Sequence, residues 1–139
     1  MPDAKTWLSE YRTIEDRIAA KAEQAMRLRA LLYGPRAELS DMPKGNGDND
    51  WTRKLVNLIA LENEIDEEIG KLMAKRRTIE STVEALPHEK MRTLIEMRYI
   101  NQNSAKEIED RLGYSESSVR RLHSAALKVV DKLIGHEPP

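Results

Sequence analysis

The chain has 139 residues, enough for one domain with a proper core or a small domain carrying a helical extension. Charged residues make up 34% and aromatics only 4%, with no Phe, a balance that favours long amphipathic helices over sheets. The formal charge of −1 speaks against strong non-specific attraction to polyanions, the absence of cysteine excludes disulfides and thiolate metal sites, and no apolar run reaches a membrane span.

Asp3 is placed to cap a helix running to Tyr33, where Gly34-Pro35 stops it. Its apolar positions, Trp7, Tyr11, Ile14, Ile18, Ala25, Leu28 and Leu32, advance in steps of three and four, interrupted by Lys21. Residues 34–50 have linker composition, with Pro35, Pro43, Gly45 and Gly47 among Ser, Asp and Asn. Asp50 is then expected to cap a second long helix that ends at Pro87. Its seam reads Trp51, Leu55, Leu58, Glu62, Ile65, Ile69, Leu72, Arg76, Ile79, Val83 and Leu86, the 3-4 alternation of a coiled coil.

A helix of this length with an apolar stripe does not stand alone in water, so residues 1–86 are expected to form a long antiparallel helical hairpin. Leu58-Ile59-Ala60-Leu61 widens the apolar face near one end and predicts a further partner. A second hairpin would supply it, making the chain a homo-oligomer with a dimer favoured. Lys21, Glu62 and Arg76 either pair across the seams to set register or extend their charged ends into solvent.

Residues 87–139 predict a three-helix domain, so the fold class is all-α throughout. The first helix starts at Pro87, carries Met91, Leu94, Ile95 and Tyr99 inward, and ends near Ile100. Ser104-Ala-Lys-Glu107 is a capping box, in which a serine and a glutamate satisfy each other's orphan amides. Ala105, Ile108 and Leu112 form the buried face of that second helix. Gly113 supplies a sharp turn, Tyr114 packs back and Ser115 caps the third helix. Val119, Leu122, Ala126, Val129 or Val130, and Leu133 face the core.

This order is the layout of a helix-turn-helix, whose second motif helix enters the DNA major groove. Glu116, Ser117, Ser118, Arg120, Arg121 and His123 are left exposed near the start of the third helix, where arginine can bond both acceptors of guanine. His123 is also placed to meet a phosphate. The charge of residues 87–139 is near +1, nine Lys/Arg against eight Asp/Glu, so binding would depend on locally placed arginines and paired domains. The same residues also suit a plain three-helix bundle with a solvated basic face.

Met97-Arg98-Tyr99-Ile100, Ser104-Ala-Lys-Glu-Ile108, Leu112-Gly-Tyr-Ser115 and Val119-Arg-Arg-Leu-His-Ser-Ala-Ala-Leu127 resemble the fourth region of bacterial sigma-seventy-type factors, over about residues 86–135. The whole chain is similar to small phage-encoded regulators of the ArpU and RinA type, including a Met42-Pro43-Lys44-Gly45 segment in the linker. The resemblance implies a DNA-binding regulator of phage or prophage genes, an activator acting with host RNA polymerase in the bacterial cytoplasm. It assigns base reading to Ser115, Glu116, Ser117, Ser118, Arg120 and Arg121, and contact with phosphate or upstream bases to Ser104 through Lys106. Glu116 and Ser118 stand where housekeeping sigma factors carry arginines, so an ordinary −35 hexamer is not the expected target.

No nucleophile–base pair, phosphate loop or cofactor motif is apparent, and His88, His123 and His136 lack metal spacing, so no enzyme, cofactor or metal is expected. Two other readings stay open. One is a small terminase-like component of DNA packaging, which also joins a helix-turn-helix to an oligomerising helical segment. The other is an interaction protein that grips RNA polymerase and not double-stranded DNA.

Overall fold

The computed structural model describes residues 2–34 and 47–135. Most of the expected 34–50 linker, with Met42–Gly45, lies outside the described residues, as does His136. The described residues form helices and no strand: α1 (Ala4–Tyr33), α2 (Gly47–Glu84), α3 (Glu89–Ile95) running into a π-helical turn (Glu96–Ile100), α4 (Ala105–Leu112) and α5 (Glu116–Leu133). This is the expected all-α architecture, a long helical pair followed by shorter helices. Helix α2 begins three residues before Asp50, which is therefore inside the helix and not its cap. Asp50 in its first turn suits the positive end of the helix dipole. None of these helices is long and apolar enough to cross a membrane.

The chain folds as two compact units, one comprising Asp16–Met73 and the other Met1–Glu15 with Ala74–Pro139. In the first, Ala25, Leu28 and Leu32 of α1 pack with Ile65 of α2, and Leu55, Leu58 and Ile69 close around them. Ion pairs flank this seam. Arg29 reaches Glu62 and Asp66, each at 3.2 Å, and Lys21 reaches Glu68. Partner numbers fall on α2 as they rise on α1, which is the antiparallel arrangement. The seam residues Lys21 and Glu62 thus each take a partner from the facing helix. Arg76 instead lies 3.6 Å from Glu80 on its own helix.

In the second unit, the beginning of α1 and the end of α2 share a core with α3, α4 and α5. Ala4, Leu8, Tyr11 and Ile14 are buried from α1, Ile79 and Val83 from the end of α2, and Leu86 from just beyond it. Leu8, rather than Trp7, is the innermost residue of the first turns. Two adjacent apolar residues offer two possible stripes, and Leu8 continues the spacing of Ala4 and Tyr11. The Ala4 amide donates to the Asp131 carboxylate at 2.7 Å, so a side chain of α5 caps α1. The Tyr11 hydroxyl donates to Glu80 at 3.0 Å, and burial together with that carboxylate pushes its proton affinity up.

Helix α3 starts at Glu89 after His88 in extended conformation, so Pro87 precedes the helix instead of opening it. Leu94 and Ile95 are fully buried. The helix then loosens into the π turn, where the Asn101 amide donates to Glu96 at 2.9 Å, and Gln102 takes a positive φ of 58°. Such turns insert one extra residue and re-aim the side chains that follow.

Candidate nucleic-acid interface

Local sequence builds the start of α4. The Glu107 amide donates to Ser104 Oγ at 3.2 Å, and the Glu107 carboxylate accepts from the Ser104 amide at 3.4 Å, completing the capping box. The Asn103 side-chain amide also donates to Glu107, at 2.9 Å. These donors, Asn103 first, hold the Glu107 carboxyl below the usual carboxylate range. Gly113 ends α4 at φ 68°, and its amide donates to Glu109. A residue with a Cβ would carry a penalty of about 1–2 kcal/mol in that conformation. Tyr114 follows, with the Lys90 ammonium 4.3 Å from its ring centre.

Ser115 then caps α5, accepting from the Ser118 amide at 3.3 Å, and its hydroxyl also meets those of Ser117 and Ser118. Ile108 of α4 and Val119, Ala126 and Val130 of α5 are the buried stripes that set this pair of helices in place. Ala105 is exposed and Leu112 half-buried, so the inward face of α4 is narrower than its apolar residues suggest. Leu133, in the last turn of α5, is also exposed instead of joining the core.

Of the residues singled out from sequence, Ser104, Lys106, Ser115, Glu116, Ser117, Arg120 and Arg121 are exposed, and Ser118 is half-buried. They fall at the leading ends of α4 and α5. Arg120 is bonded to Glu116 one turn earlier at 2.7 Å, with both side chains more than 70% exposed. A pair this open is worth little and exchanges readily for another acceptor.

His123 departs from the expectation. It is buried, not exposed, and cannot reach a phosphate. Its Nε2 lies 2.6 Å from the Tyr99 hydroxyl, and the two rings stack with centroids 5.7 Å apart. Burial, reinforced by the positive charges of Arg98 and Lys5, lowers its pKa from 6.5 to about 4. The imidazole is therefore neutral at pH 7. Its position four residues after Val119 and three before Ala126 is a core position, and this spacing was the available signal.

A feature not foreseen from sequence lies on the same unit. Lys5, Ser9 and Arg12 of α1 and Arg98, Tyr99, Gln102 and Asn103 around the π turn line a cleft of about 370 Å³. Lys5, Arg12 and Arg98 are exposed.

A family described as a protein of unknown function, DUF1492, matches residues 39–131, about two thirds of the chain. The chain belongs to the DUF1492 family. The match holds α2, α3, α4 and all but the last two residues of α5, so every candidate interface residue of this DUF1492 chain falls inside it. No curated protein and no solved structure matches the chain.

Proposed function

We propose that this DUF1492 chain is a sequence-specific DNA-binding regulator of phage or prophage transcription that works with host RNA polymerase in the bacterial cytoplasm. The observation that carries the reading is the division of α5. Val119, His123, Ala126 and Val130 anchor one face, while Ser115, Glu116, Ser117, Arg120 and Arg121 are exposed over its first two turns. A helix entering the major groove needs an exposed leading turn of short and guanidinium side chains on a fixed rear face. The capped start of α4 alongside offers backbone amides and Lys106 to phosphate. The likeness to the fourth region of sigma factors supports the same assignment.

In the Asp16–Met73 unit, Met26, Leu31, Val56, Ile59 and Leu61 are each at least 40% exposed. That apolar surface supports self-association, and a dimer would present two reading helices with a gain in effective concentration.

Selection from a random duplex pool followed by gel shift tests the reading. Enrichment of a defined sequence is expected, together with a loss of about 1–3 kcal/mol in its binding on Arg120→Ala. Equal binding to selected and random DNA at physiological salt would refute it. Ring-sized assemblies in light scattering would favour a packaging component. Capture of polymerase without DNA binding would favour the interaction protein.

A further inference from the structure

We propose that Lys5, Arg12 and Arg98 form a second contact to duplex DNA, a cleft that takes backbone phosphate beside the helix-turn-helix. The proposal rests on the DNA-binding reading above and adds to it the first turns of α1.

Lys5 and Arg12 lie two turns apart on α1, and Arg98 comes from the π turn, yet all three line one concavity. None of them is ion-paired among the described residues, whereas Arg29 of the Asp16–Met73 unit pairs with both Glu62 and Asp66. Asp3 stands close by, its carboxylate accepting from the Thr6 amide and its field reaching Tyr99. The lining itself holds three cations and no carboxylate, in a chain whose overall charge is −1, and Glu107 and Asp131 stand at its margins through Asn103 and the Ala4 amide. The buried His123 beneath it responds to that field, since Arg98 and Lys5 both disfavour its protonated form.

The architecture fits a phosphate better than a specific organic ligand. The cations are long and exposed, and the rigid part is the floor, where buried Tyr99 is fixed by His123 and carries the Arg98 guanidinium 5.7 Å from its ring centre. Gln102 adds an amide donor at one edge, beside Asn103, whose own side-chain amide is bonded to Glu107. Asn103 is followed directly by Ser104, so the cleft continues the surface where the capped start of α4 is proposed to meet the backbone. In helix-turn-helix complexes the helix before the reading helix crosses the backbone, and contacts there fix register without reading bases.

Fluorescence-anisotropy titrations over a salt series, with the selected duplex and a random duplex, test the proposal on the full chain. Neutralising Lys5→Gln with Arg12→Gln removes two phosphate contacts, so the slope of log affinity against log salt should shrink by about 1.8. Affinity should fall by the same factor on both duplexes, leaving their ratio unchanged, and Arg12→Gln alone should give about half the change in slope. Arg120→Ala should instead lower the ratio. Wild-type slopes in the double variant, with binding retained, would overturn the cleft and leave the α5 reading standing. No duplex binding by the wild type would overturn both. A melting temperature raised by inorganic phosphate in the wild type but not in the double variant, with unchanged DNA slopes, would assign the cleft to a free anion and overturn the DNA contact.

Discussion

Leu94→Ala should lower the unfolding free energy by about 2–5 kcal/mol, a large fraction of what a domain of this size possesses. Leu94 is fully buried, as is its neighbour Ile95, in the short α3 that packs against both α4 and α5. Removing three carbons there forfeits their transfer from water and leaves a cavity that the neighbouring helices fill only in part. The positions of α4 and α5 depend on this floor, because each offers it only a narrow apolar stripe. Urea unfolding followed by circular dichroism measures the effect as a lower midpoint at an unchanged slope. Leu133→Ala, at a side chain 47% exposed in the last turn of α5, is the comparison and should cost well under half as much. Equal losses at the two sites would mean that the core is not centred on α3.

Acid should destabilise the protein through His123. Its folded-state pKa of about 4 lies below the 6.5 of an unfolded histidine. Above pH 6.5 the ring is neutral in both states and contributes no pH dependence. As the pH falls below 6.5 the unfolded chain takes up a proton that the folded chain refuses, so stability declines, and the loss is complete once the pH is below 4. The full loss is of the order of 3 kcal/mol, about 2 kcal/mol of it by pH 5. The cause is first the burial of the ring and then the charges of Arg98 and Lys5. Urea midpoints at pH 7 and pH 5, compared between wild type and His123→Gln, isolate this contribution from the carboxylates common to both. The variant should show a much smaller decline. Parallel declines would show that the imidazole is not held neutral.

The parts of this fold legible in the sequence are those written locally. Ser104 with Glu107, Gly113 and Ser115 each act within a few residues of themselves, and each cap and turn lies where those residue types put it. The α2 seam was legible as well, because its 3-4 alternation runs from Leu55 to Leu86 even where Leu58-Ile59-Ala60-Leu61 broadens the apolar face. Ambiguity entered where two choices were adjacent. Trp7 and Leu8 offer alternative stripes, and only packing against the other helices selects Leu8. For His123 the helical spacing already placed it inward, but a polar side chain beside two arginines reads as part of a basic surface until Tyr99 is seen to satisfy it. Ala105 and Leu133 show the reverse error, apolar residues at helix ends that no neighbour covers. Nothing local could have gathered Lys5, Arg12 and Arg98, since they meet only when the first turns of α1 pack beside a π turn that carries no sequence signature of its own.

Backbone amide spectra of the isotope-labelled protein, titrated with the selected duplex, bear most directly on the role of α5. The largest changes are expected at Ser115 through Arg121 and at Ser104 through Lys106, with smaller ones at Lys5 and Arg12. Strong changes confined to the α1–α2 hairpin of the Asp16–Met73 unit, with the leading turn of α5 unmoved, would contradict the proposal that this helix reads DNA.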